Sequence, residues 1–216
     1  MAKTVTAAEM KERERAANEA GLLYIQMMEN AGRAAYAELK RRVPALRRLL
    51  IVAGKGNNGG DGFVMARVAA KEGVQVRVLL AEGEPKTADA KTNLARLGET
   101  AAEVVRDTEQ AAFGADAVVD ALYGTGFHGE LRPGGAAACA LMGRERERGA
   151  FVLALDLPSG VSADSGGVAE GAVQADATVT FDCTKPLHFA KASKPLCGAL
   201  VCADIGIGKA LGEHET

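Results

Sequence analysis

The chain has 216 residues, a formal net charge of -2, 48% hydrophobic and 25% charged residues. That length holds one domain with a substantial core. Near-neutrality, 4% aromatic content and the lack of Trp leave neither the field nor the stacking surfaces of a nucleic-acid binder.

Four cysteines, Cys139, Cys183, Cys197 and Cys202, form no CxxC pair, and His128, His188 and His214 lack metal-ligand spacing. Zinc is therefore not expected, and reduced core cysteines fit a cytoplasmic protein. Met1 to Ala17 lacks the apolar run of a signal peptide. No stretch approaches the roughly 20 apolar residues that span a bilayer, so no membrane partner is expected.

In chain order, residues 6–42 read as helical. Thr6-Ala7-Ala8-Glu9 has the form of a capping box. Gly21 divides two helices, and Pro44 stops the second. Tyr24, Met28, Ala31, Ala35 and Leu39 fall on one face of that second helix, which predicts core packing, with a dimer contact as the alternative. Leu49 to Ala53 is a short, wholly apolar run, as expected of a strand buried on both faces. A glycine-rich loop follows, then a helix over 63–72 ended by Gly73. A strand over 74–80 and a helix over 86–97 come next. Further strands are expected at 117–119, 151–155, 177–181 and 199–203, with helix near 136–147. Strands alternating with helices predict an α/β fold, Rossmann-like, with three α/β/α layers, a mainly parallel central sheet and a helical N-terminal segment. One domain, residues 1–216, is expected.

The loop Gly54-Lys55-Gly56-Asn57-Asn58-Gly59-Gly60-Asp61-Gly62 lies between a strand and a helix, where free N–H groups and the helix dipole favour an anion. Gly54, Gly56 and Gly59 fit GxGxxG, and Glu82 stands near the end of the next strand. The GK[ST] ending of a P-loop is missing, which argues against an ATPase. Asp120 and Asp156 each follow an apolar strand and precede tight-turn sequence, Gly124-Thr125-Gly126 and Pro158-Ser159-Gly160. In a parallel sheet both carboxyls lie on the edge that carries the glycine loop.

These residues resemble the NAD(P)H-hydrate epimerases, the YjeF N-terminal domain family. The resemblance rests on Gly56 to Val64, Asp120 to Gly126, Asp156 to Gly160, Thr178 to Phe181 with Lys185-Pro186, and Asp204 to Ile207. Met28-Glu29-Asn30-Ala31-Gly32 resembles the family's N-terminal helix motif. The match runs from about Val5 to Ile207. It departs at Glu14, where Asp is usual, at Leu187, where Gly is usual, and at Gly208, where Pro is common.

The resemblance implies an isomerase of metabolite repair that interconverts the R and S forms of hydrated NADH and NADPH (NADHX and NADPHX). A partner NAD(P)H-hydrate dehydratase uses the S form. Substrate contacts are implied for Asn57, Asn58, Gly59, Gly60 and Asp61, for Gly124, Thr125, Gly126, Phe127, His128, Gly129 and Glu130, and for Asp156. A potassium ion is implied at Asn58, Asp120 and Ser159, whose oxygen donors suit a hard cation. Tyr123, Phe127 and His128 are expected to wall the ring. Asp156 is expected as the main acid/base and Lys185 as its helper or a substrate contact. A homodimer is implied, and the end of the sequence soon after Ile207 is expected to mark the epimerase domain alone or a piece of a longer protein that carries it. Two rival readings stand beside this one. The first is an NAD-dependent oxidoreductase, citing the GxGxxG glycines and Glu82. The second is a non-catalytic binding module on the same fold.

Overall fold

The computed structural model describes residues 3–213; His214 lies outside them. Seven strands form one parallel sheet in the order β3-β2-β1-β4-β5-β6-β7. They are β1 (Arg48–Ala53), β2 (Gln75–Leu80), β3 (Glu103–Val105), β4 (Ala117–Ala121), β5 (Phe151–Leu155), β6 (Ala177–Phe181) and β7 (Ala199–Ala203). The helices are α1 (Ala7–Glu19), α2 (Tyr24–Arg42), α3 (Asn57–Lys71), α4 (Ala88–Leu97), α5 (Thr108–Ala111), α6 (Pro133–Glu147) and α7 (Ile207–Ala210).

Alternation along the strands divides the core. Leu49, Ile51 and Ala53 of β1 turn toward the layer of α1, α2, α3 and α4. Leu50 and Val52 turn toward α5 and α6. Cover on both faces makes the central strands largely apolar, which is why the runs stand out in the sequence. The structure is the expected three-layer α/β fold.

The capping box forms: Glu9 N–H donates to Thr6 Oγ1 and Thr6 N–H donates to Glu9 Oε2. In α2, Met28, Ala31, Ala35 and Leu39 are buried as the stripe predicts. Tyr24 is a correction, since it is exposed at the first turn and outside the core. All four cysteines are free thiols, three of them buried.

The largest correction concerns α3. It begins at Asn57, six residues before the expected Phe63. Asn and Gly are weak helix formers, but packing overrides them. A Cβ on Gly54 would lie 1.8 Å from Leu122 O, and one on Gly59 would lie 2.2 Å from Gly54 O. The loop therefore shrinks to Gly54–Gly56, and the remaining motif forms the first turns of the helix. The short elements β3, α5 and α7 carry no pattern that the sequence reading picks out.

Candidate functional site

The order 3-2-1-4 places the switch point of the sheet between β1 and β4, where ligand crevices open beyond the strand ends. A cavity of about 740 Å³ lies there. Two strand-end segments line it together with the β2–α4 connection, and a third strand-end segment, after β5, stands behind the second without lining the cavity. The first is the end of β1 with the start of α3. Gly56 caps α3 in an extended conformation with no side-chain hydrogen bond, so the first N–H groups of the helix remain available for an anion. Lys55, Gly56, Asn57 and Asn58 line the cavity.

The second segment follows β4. Gly124, Thr125, Gly126, Phe127, His128 and Glu130 line the cavity with Tyr123. The Tyr123 and Phe127 rings pack with centroids 5.0 Å apart. Gly129 lies in the same turn with φ +77 but is not part of the lining.

The third segment follows β5 and is hydrogen-bonded to the second. Ser159 Oγ donates to Asp120 Oδ1 at 2.6 Å, and Ser159 N–H donates to Asp120 Oδ2 at 2.7 Å. Tyr123 N–H donates to Ser159 Oγ, and Leu122 N–H donates to Asp120 Oδ1. Asp120 and Ser159 are fully buried. Burial pushes the Asp120 carboxyl up to about 6, against the pull of its three hydrogen bonds. Among the described residues Asp120 has no ion-pair partner. Asn58 Nδ2 donates to Tyr123 O at 2.8 Å, which leaves its amide oxygen as the free end. Asn58 is joined to the Ser159–Asp120 pair through the Tyr123 backbone, and the oxygens of the three residues are of the kind that suits a hard cation.

Asp156 and Lys185 form a second group beside this one. Asp156 takes φ 64, a left-handed conformation that Asp and Asn tolerate better than most residues. Its Oδ1 accepts from Lys185 Nζ at 2.5 Å and from Thr180 Oγ1 at 2.9 Å. Its Oδ2 accepts no hydrogen bond from the described residues. Burial alone would raise Asp156, but Lys185, Thr180 and His188 outweigh it and hold the carboxyl below its usual range. Lys185 is 1% exposed.

His188 ties the pair together. Lys185 N–H donates to His188 Nδ1 at 2.9 Å, so Nε2 carries the proton and donates to Asp156 O at 3.0 Å. Burial, aided by Lys185, lowers the imidazole. Leu187, at a departure from the family pattern, is fully buried in a small apolar cluster with Leu157 and Val161, and Pro186–His188 forms a tight 3-10 turn.

The substrate-contact residues expected from the sequence divide three ways. Asn57 and Asn58 line the cavity with Gly124–His128 and Glu130, whereas Gly129 and Asp156 are not in its lining. Gly59 packs on Gly54, and Gly60 packs on Met28 and Ala90. Asp61 faces the Asp156 group. Burial first, then Asp156 and Glu14, push its carboxyl well above the usual range. Glu14 of α1 completes this group and is raised to about 7, by burial and then by Asp156. The sequence marked Glu14 only as a departure and gave His188 no role. The three-residue step from Lys185 to His188 was the one available signal. Glu14 had none, because α1 reaches the site only through packing.

A parallel seven-stranded sheet with a glycine-lined cavity at its switch point defines a Rossmann-like α/β protein. The family model for the YjeF-related protein N-terminus matches residues 24–187, and the chain belongs to that family. It is 41% identical over 205 residues to the NAD(P)H-hydrate epimerase of Pirellula staleyi, covering 90% of this chain and 88% of that one. It is 36% identical to the bifunctional NAD(P)H-hydrate repair enzyme Nnr of Coxiella burnetii, covering 93% of this chain and 41% of the relative. The corresponding Escherichia coli enzyme is 33% identical, with 93% and 39% covered. The chain thus spans about two fifths of the bifunctional relatives. The crystal structure of yeast ynu0 superposes with a TM-score of 0.76 at 20% identity, covering 94% of this chain and 88% of that one, which shows the shared fold.

Proposed function

We propose that this chain is a single-domain NAD(P)H-hydrate epimerase that interconverts the R and S forms of NADHX and NADPHX. The observation that carries the reading is one cavity lined by the turns after β1 and β4, with Asp156, paired with Lys185, on the turn after β5 that hydrogen-bonds to Asp120 and Tyr123. The names of the relatives support the same activity. The N–H groups at the start of α3 and the Gly124–Gly126 turn suit a diphosphate, and Tyr123 and Phe127 offer flat apolar faces to a ring.

C6 of the hydrate carries a hydroxyl beside the ring nitrogen. Its configuration is lost by C–N or by C–O cleavage and restored on closure or readdition. Either route needs one proton acceptor and one donor. Asp156, held ionised by Lys185 with Oδ2 unengaged, is the acceptor. Asp61, held protonated beside Asp156 and Glu14, is the donor. Opposed environments that push neighbouring carboxyls apart are how one site holds both roles. The test is NMR or chromatography of mixed R and S NADHX with and without the protein. Equilibration no faster than the blank overturns the reading.

Asn58, Asp120 and Ser159 would hold a potassium ion, which supplies positive charge against a buried carboxylate and ties the second turn to the third. Potassium chloride is expected to raise Tm with rising concentration, the unfolding free energy growing by about 2.7 kcal/mol at a hundredfold excess over Kd. Choline chloride is not, and Asp120→Asn abolishes the difference. Equal melting in both salts removes the ion from the site.

Glu14 gives a pH prediction. Its folded value of about 7 lies above the ordinary 4.5. The folded protein therefore binds more protons than the unfolded chain between those values, and stability falls as pH rises through that window. Glu14→Gln is expected to remove its share of the decline, to which Asp61 and Asp120 also contribute. Its Tm relative to wild type should climb between pH 4.5 and 7 and then level off; a constant offset would refute the assignment.

Two assembly readings follow from the same resemblance. The chain works as a homodimer, and its product feeds a separate or fused dehydratase, as the bifunctional relatives' names support. Among the described residues no helix is long and apolar enough to cross a membrane.

A further inference from the structure

One end of the cavity contains cationic groups that neither the diphosphate nor the proton-transfer group uses. Lys55, from the turn after β1, and Lys86 and Thr87, from the connection between β2 and α4, line it together. Lys86 N–H donates to Lys55 O at 2.8 Å, so the two segments are fastened side by side. Gly83 turns the β2–α4 connection at φ +95, and the Lys55 stem passes over it. Neither lysine forms an ion pair with a carboxylate among the described residues, whereas neighbouring Arg132 is paired with Glu82. Thr87 precedes the ten-residue α4 without capping it, and its Oγ1 is buried with no hydrogen-bond partner.

Glu82 is the position from which a dinucleotide fold recognises a free ribose 2′-hydroxyl. Here its carboxylate is already engaged. Oε1 accepts from Tyr123 Oη at 2.8 Å, and Oε2 accepts from Arg132 Nη2 at 3.0 Å. The β1 turn and the β2–α4 connection together thus present an occupied carboxylate, two ammonium groups without ion-pair partners and an unpaired hydroxyl. Charge-assisted hydrogen bonds from such groups suit a phosphomonoester.

We propose that Lys55, Lys86 and Thr87 form a subsite for the ribose 2′-phosphate, which makes the enzyme selective for the hydrate of NADPH over that of NADH. The proposal rests on the hydrate-epimerase reading and assigns a second, separate phosphate of the same substrate to the wall where the β1 turn meets the β2–α4 connection.

Calorimetric titration with adenosine 2′,5′-bisphosphate and with adenosine 5′-monophosphate tests the subsite without turnover. The bisphosphate is expected to bind about tenfold tighter or better, and the Lys55→Gln/Lys86→Gln variant is expected to bring the two probes level. In turnover, the same variant should lose about ten times more kcat/KM on NADPHX than on NADHX. Equal affinity of the two probes for wild type overturns the proposal. Equal loss on both hydrates also overturns it, because the lysines would then serve the shared diphosphate. Should wild type epimerise neither hydrate, the activity reading fails, while the titration still decides whether a 2′-phosphate is bound.

Discussion

Asp156→Asn is expected to lower kcat for hydrate epimerisation by about 10²- to 10⁴-fold, the usual contribution of a positioned general base. The substitution isolates the chemistry. Asn tolerates the left-handed φ of 64 at this position, and its amide oxygen can still accept from Lys185 Nζ and Thr180 Oγ1. What disappears is the basic Oδ2. Removing a carboxylate beside a buried lysine would ordinarily destabilise the fold strongly. Here Glu14 and Asp61, both raised by burial and by Asp156, lose one source of that elevation and can take over the charge. Far-ultraviolet circular dichroism should therefore report a folded variant. Full activity in that folded variant would remove Asp156 from the reaction.

The second large effect concerns stability. Gly54→Ala is expected to cost about 3 kcal/mol or more, at the upper end of overpacking losses. The added methyl would lie 1.8 Å from Leu122 O, a backbone atom just beyond β4 that cannot turn aside. Gly54 N–H also donates to Ala121 O at 3.0 Å, so the two strand ends cannot part without losing that bond. The control lies two residues away. A Cβ on Gly56 meets nothing within 4 Å, and its φ of -93 is open to any residue. Gly56→Ala should change stability by less than about 1 kcal/mol, the unfolded-state gain being offset by the poorer N-cap. Urea melts of both variants would show the contrast. Equal losses would mean that the motif is glycine-rich for a ligand and not for the close approach of β1 and β4.

That contrast marks how far the motif could be interpreted before folding. Its glycines are legible as a pattern, but their tasks differ. Gly54 and Gly59 bring backbones together, Gly60 makes room for Met28, and Gly56 stands at the cavity. The family resemblance treated Asn57 to Asp61 as one contact run. Helix geometry separates them, because residues on successive turns face different neighbours. Asn57 and Asn58 meet the cavity, and Asp61 meets Asp156.

The strands 151–155, 177–181 and 199–203 have the bounds their apolar runs predict. The start of α3 was missed because local propensity opposed it, and Glu103–Val105 was missed because three residues at a sheet edge carry no period. Ordered along the chain, hydrophobicity and turn residues by themselves determined an α/β protein with a parallel sheet, an anion-suited strand–helix turn and two strand-end aspartates on its rim. Tertiary structure alone decided that Glu14 reaches Asp156 from a helix far away in sequence, that Glu82 is already engaged, and that Lys55 and Lys86 share one wall. Those outcomes depend on long-range packing and on the low-dielectric pockets it creates, and neither exists until distant segments meet.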